Sequence, residues 1–201
     1  MAQVLQSPED ICNAAIAQLG WPRRIGSLYD GSAASKIFLD IYSHTRDVKL
    51  REFEWGLAER TAPLDLLKTA PVGGYTAATP WTSAYPAPGW IFEYAYPTDC
   101  VMIRSLRTNV AFVPNFDPRP SLFRIANDTI AGTQQKVILS NLASALAVYT
   151  GQVTDPSLWE PGFAEALVDA LAMKVQANPE ARKLAIQEDA MESQGAEMRL
   201  G

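Results

Sequence analysis

Residues 30–58, DGSAASKIFLDIYSHTRDVKLREFEWGLA, decide how the rest of the chain is read. Asp30, Gly31 and Ser32 form a start signal, because a short side-chain oxygen takes up a free N–H of a first helical turn. No proline interrupts the stretch, so it predicts one long helix of about 26 residues, roughly 39 Å at the helical rise. Lys36, Asp40, Ser43, Asp47, Arg51 and Glu54 recur at three- and four-residue steps and define a polar stripe. Asp47 ahead of Arg51 is the favourable i,i+4 order, worth a few tenths of a kcal/mol at about the most. One apolar face carries Ala34, Ile37, Ile41, Val48 and Trp55. A second carries Leu39, Tyr42, Leu50, Phe53 and Leu57. Apolar residues on two sides of one narrow polar stripe predict a helix that is mostly surrounded, the central pillar of a helical core.

Working outward, Ser7-Pro8-Glu9-Asp10 opens an earlier helix with a capping serine, a proline at the first helical position and a capping-box acid. Gly20 and Pro22 end it. The short connector that follows predicts an antiparallel neighbour of the pillar. Beyond Arg60 the pattern changes. Pro63 to Lys68 reads as one turn of helix. Residues 69–90, TAPVGGYTAATPWTSAYPAPGW, exclude a regular element through their prolines and glycines. Yet Tyr75, Trp81, Tyr85 and Trp90 are unusual in an idle linker, since exposed tryptophans usually meet something. Three readings stand: a loop folded back on its own domain, an inter-subunit arm presenting those four aromatics, and a disordered linker.

Residues 91–152 have period two. Ile91–Tyr96, Val101–Leu106, Leu122–Ala126, Val137–Leu139 and a run from Ala145 predict four or five short antiparallel strands. Pro97-Thr98-Asp99, Pro114 to Pro120 and Gly132 break them. Asn127-Asp128-Thr129 fits a glycosylation sequon and reads as a turn. The last part is helical again. Asp155-Pro156 caps a short turn to Trp159, and Pro161 opens a helix with the stripe Phe163, Leu167, Leu171 and Val175. Asn178-Pro179 caps a final alanine-rich, charged helix that buries little by itself. The expected fold is therefore mainly α with a β-rich insertion, an α+β chain. A helical bundle surrounds the long helix, and a small antiparallel sheet lies between helices 2 and 3. Residues 1–60 and 153–201 supply the bundle as one structural unit, 61–90 the loop or arm, and 91–152 the insertion.

With 201 residues, 48% of them hydrophobic, the chain can bury a full core. Only 19% are charged, which hints that partners cover part of the surface. The net charge of −5 and the unclustered basic residues argue against a direct grip on nucleic acid, but not against lining a channel through which DNA passes. Cys12 and Cys100 read as reduced, buried thiols of a cytosolic protein. The N-terminus has neither the basic nor the apolar region of a secretory signal, and no apolar run approaches a membrane span. The chemical inventory is close to empty. The single His44 lies between Ile41 and Val48 and reads as a core or interface histidine. One histidine and two distant cysteines are too few for a zinc site. No phosphate-binding loop, dinucleotide fingerprint, HExxH or GxSxG occurs. No catalytic, metal or cofactor residues are expected.

Several stretches, taken together, resemble a known family. ICNAAIAQLG (11–20), RIGSLYDGSAAS (24–35), REFEWGLA (51–58), YPTDCVMIR (96–104) and AVYTGQVTDPSLWEPGFAEALVDALAMKV (147–175) are similar to the head–tail adaptor proteins of tailed bacteriophages, of the tail tubular protein A and head-completion type. No one motif is specific; their joint order carries the likeness. The resemblance implies a structural virion protein without catalytic residues or cofactors. It implies a helical bundle interrupted by a β-rich segment, and a homo-oligomeric ring, usually dodecameric, between the portal protein and the tail or nozzle protein. Such a ring extends the channel that DNA traverses during ejection. Localisation would be the virion head–tail junction, after synthesis in the host bacterial cytoplasm. The family's C-terminal docking to the portal maps here to 179–201, with Pro179, Arg182, Leu184, Ile186, Met191, Met198 and Leu200 as candidate portal contacts. The 69–90 stretch is longer than the family leads one to expect. Alternatives from other classes are a stand-alone phage-encoded protein-binding module, a more distal tail-completion protein, and an enzyme with a composite site.

Overall fold

The computed structural model describes residues 5–21, 24–108 and 121–179, together with Lys183 and Gln187. The chain divides into two compact units, 1–57 with 153–201, and 58–152.

The described part of the first unit holds three α-helices: α1 (Pro8–Gln18), α2 (Ala33–Glu52) and α3 (Pro161–Gln176). The expected capping box forms at α1. Asp10 N–H donates to Ser7 Oγ at 3.1 Å, and Ser7 N–H donates back to Asp10 Oδ2 at 3.1 Å. At the start of α2, Asp30 accepts from the N–H groups of Gly26, Ser27 and Ser32, and Ser32 caps the helix through Ser35 N–H.

The long helix is shorter than its sequence predicts. It stops at Glu52, and Phe53 is extended. The reason is Trp55, whose indole N–H donates to the Lys49 carbonyl at 2.9 Å, one of the four left open by a helix end. The Trp55 ring packs edge-on against Phe163, with centroids 5.3 Å apart, and Phe163 meets Trp159 at 4.9 Å. Nor is α2 a surrounded pillar. It buries one face, Ser35, Phe38, Tyr42, Thr45, Arg46 and Leu50, while Leu39 and His44 are exposed. His44 is thus no core histidine. The central helix of this unit is α3, which packs against both α1 and α2 and buries Phe163, Leu167, Leu171 and Val175.

The second unit overturns the helical-bundle reading. Its described residues form seven strands in two antiparallel sheets: β1 (Glu59–Pro63), β2 (Leu66–Thr69), β3 (Phe92–Ala95), β4 (Cys100–Thr108), β5 (Phe123–Ile130), β6 (Thr133–Ser140) and β7 (Ala145–Gly151). The three-stranded sheet has order β1-β7-β4 and the four-stranded sheet β2-β3-β6-β5. The chain is a sheet-rich α+β fold rather than a bundle with a small insert. Two elements differ from the sequence expectation. Pro63–Lys68 makes no helical turn; it ends β1 and begins β2. Asn127–Thr129 is no turn; it lies inside β5. Among the described residues both β1 and β2 are edge strands, paired with β7 and β3 alone, so their strand character comes from chain far away. Pro63, which lacks an N–H, is tolerated because β1 is an edge.

The two sheets share a core of Leu64, Tyr94, Ile103, Leu106, Ile138, Ala145, Ala147 and Tyr149. At their corner Leu64 N–H donates to Ala145 O at 2.9 Å and Asp65 O accepts from Ala95 N–H at 2.9 Å, which hands the chain from one sheet to the other. The β5–β6 hairpin turns through Ala131 and Gly132, both left-handed, as a two-residue turn of this twist requires.

Candidate interaction surface

The stretch from 70 to 91 departs from the β2–β3 pair and returns to it. Its neck is closed by Ala70 N–H donating to Ile91 O at 2.7 Å, and Asn141 Oδ1 accepts from Ile91 N–H at 2.8 Å. Short turns build the interior: Gly74 N–H to Pro71 O, Thr76 and Thr79 to each other, Tyr85 N–H to Thr82 O, and Trp90 N–H to Ala87 O. The result is a long loop with closed ends and its own internal hydrogen bonds.

Three of the four aromatics singled out in the sequence converge. Tyr75 Oη and Trp81 Nε1 both donate to the carbonyl of Pro86, each at 2.8 Å, and Pro86 is buried. The rings of Tyr75 and Tyr85 lie 5.9 Å apart. Trp90 is half-buried near the neck. The loop is therefore folded on itself. It still leaves Val72 fully in water and Trp81 and Ile91 about half so.

The loop is also pinned to the four-stranded sheet. Lys68 Nζ donates to Ser83 O at 2.9 Å and to Asp128 Oδ2, and lies 3.5 Å from Glu93 Oε1. Lys68 stands on β2 and Asp128 on β5, the two edges of that sheet. In a flat sheet those edges would be about 14 Å apart, beyond the combined reach of the two side chains, so the sheet curls. Glu93 alternates with the core residues Phe92 and Tyr94 and so occupies the opposite face, yet it is only 1% exposed. Burial pushes its carboxyl up, and the neighbouring Asp128 carboxylate adds to this. Asp128 is held low by the hydrogen bond from Lys68.

The sequence pattern hides this trio, because it places Lys68 in a helical turn and Asp128 in a turn between strands. The one available signal was Glu93 itself, a charge inside the aromatic alternation IFEYAY. A second polar set ties the three-stranded sheet together. Asp99 pairs with Arg60 of β1 and accepts from Tyr149 Oη of β7 at 3.1 Å, and its carbonyl accepts from Gln152 N–H at 2.8 Å.

Of the candidate docking segment, Pro179 is described and exposed. Arg182, Leu184, Ile186, Met191, Met198 and Leu200 lie outside the described residues, as does the Pro114–Pro120 break. Cys12 is buried and free, its thiol pushed up to about 12 by burial and then by Glu9. Cys100 is free and half-buried. Among the described residues no cluster of His, Cys, Asp or Glu is placed to hold a metal ion, and no helix is long and apolar enough to cross a membrane. No protein-family model and no curated protein matches the chain.

Proposed function

We propose that the protein is a structural adaptor of a tailed-phage virion, assembling side by side into a ring at the head–tail junction. The ring would contact the portal on one side and the tail or nozzle on the other, with DNA as passing cargo. The observation that carries this reading is the 70–91 loop: ordered by its own hydrogen bonds and by Lys68, it nevertheless holds Val72, Trp81 and Ile91 in water. A pre-shaped loop with apolar tips is suited to packing on another chain, because its ordering entropy is already spent.

A ring needs two different surfaces on each copy, since side-to-side contact in a ring is heterologous. Two compact units of unlike architecture meet that need. They also differ in charge: segments 1–57 and 153–201 carry all of the net negative charge, and 58–152 is slightly basic. The order of the five family-like stretches supports the phage assignment over a generic binding module.

The test is co-sedimentation with the portal ring encoded by the same genome, using the full chain and a version ending at Asn178. Binding of the full chain at ring stoichiometry, lost on truncation, supports both the adaptor role and docking through 179–201. Binding by both moves docking to the β unit. Binding by neither, with a well-formed portal, overturns the reading.

A further inference from the structure

We propose that Glu93 is a protonation latch for the 70–91 loop: neutral, it leaves Lys68 free to hold Asp128 and the Ser83 carbonyl together, and ionised, it draws the ammonium away and releases the loop. The inference concerns the loop's order and does not depend on what the loop meets.

The geometry has three parts. Lys68 is 11% exposed and joins the loop, β2 and β5. Glu93 Oε1 is buried with no hydrogen-bond partner among the described residues, although Lys68 Nζ stands 3.5 Å away. An ionised carboxylate left so would be much costlier than a neutral carboxyl. Two carboxyl groups therefore share one ammonium, and only one of them is charge-matched at a time.

The groups facing Glu93 are few. β2 supplies Lys68, β5 supplies Asp128, and the loop supplies the Ser83 carbonyl. β6 places the apolar Leu139 directly opposite, and Arg124 follows in the same cross-strand row on β5, exposed. With Glu93 neutral, Lys68 and Asp128 cancel. With Glu93 ionised the trio carries one excess negative charge. The cheapest relief is for Lys68 to turn to Glu93 and for water to enter beneath the loop.

Because the carboxyl is raised in the closed state, the closed loop keeps its full stability below the ordinary glutamate value of 4.5 and loses it as pH climbs through the raised value. Hydrogen–deuterium exchange of the isolated full chain tests this, comparing wild type with Glu93→Gln at the same pH so that the chemical rate cancels. The expected wild-type to variant ratio for loop amides is about 1 at pH 4.5 and rises by about threefold or more by pH 8. Amides of β7 keep a constant ratio. A loop ratio that stays flat with pH, or a rise shared equally by β7, overturns the latch.

Lys68→Met gives an independent reading. Its loop amides are expected to exchange fast already at pH 4.5, and exchange there as slow as in wild type likewise overturns the proposal. Neither measurement involves a portal or ring, so loss of the adaptor reading would leave the latch standing, and the reverse.

Discussion

The Arg60 side chain lies across Gly151, so closely that a Cβ on Gly151 would stand 2.5 Å from both Arg60 Cδ and Nε. Alanine normally suits a strand better than glycine, but here it must displace the stem of an arginine that also pairs with Asp99 and donates to Gln152 O. Gly151→Ala is expected to destabilise the β unit by about 1–2 kcal/mol. Urea unfolding checks it, and the Arg60→Ala, Gly151→Ala double variant should recover most of the loss. Equal destabilisation in the double variant would mean that Arg60 is not what the methyl meets.

Ala131 sits at φ 50° in the first position of the β5–β6 turn. A side chain without a local hydrogen bond pays about 1 kcal/mol for that conformation. Ala131→Gly and Ala131→Asn should each raise the unfolding midpoint with an unchanged denaturant slope. A lowered midpoint for both would refute the assigned turn geometry.

Phe163 is fully buried between Trp55 and Trp159. Phe163→Ala should cost about 3–5 kcal/mol and release Trp55, whose indole closes the end of α2. The readout is loss of near-ultraviolet tryptophan dichroism together with a lower thermal midpoint. An unchanged midpoint would show that the aromatic cluster contributes little.

Asp30 accepts three backbone N–H groups ahead of α2, and its bonds, Ser32's first, hold the carboxyl below the usual aspartate range. A depressed carboxyl stabilises the fold above the unfolded value of 3.8 and loses that contribution as pH falls through its own lower value. Wild type should therefore lose more stability than Asp30→Asn on acidification from pH 4 to 2. The difference is modest because the group is exposed. Parallel acid titrations of both proteins, followed by far-ultraviolet dichroism, check the sign.

Val72 is fully in water at the tip of a loop turn. Val72→Asp should leave stability within about 0.5 kcal/mol of wild type while abolishing self-assembly, read by sedimentation velocity in the presence of the portal. Normal assembly by this variant would remove the loop from the subunit contact.

Local signals were legible wherever the partner of a residue lies close in sequence. Ser7, Pro8 and Asp10 announce the start of α1 because a capping box closes within three residues. The α3 stripe likewise follows from spacing alone. The end of α2 was not legible. EFEWGLA continues a helical pattern, and the stop comes from Trp55, whose indole bonds the Lys49 carbonyl while its ring is held by Phe163, more than a hundred residues later. β1 and β2 were invisible for the same reason, since ERTAP and LLKT have no alternation strong enough to outweigh a nearby proline. Their registers with β7 and β3 exist only in three dimensions. Among the candidate site residues, the aromatics Tyr75, Trp81 and Tyr85 could be named from composition. The Pro86 carbonyl that Tyr75 and Trp81 share as acceptor, and the lysine that anchors the loop, could not.

The register Glu59 with Thr150 joins the first strand of the β unit to its last. The chain thus enters and leaves that unit through neighbouring backbone positions, about 5 Å apart across the ladder. A segment with adjacent ends is a cassette: it can be exchanged, circularly permuted or lengthened without pulling its flanking residues apart.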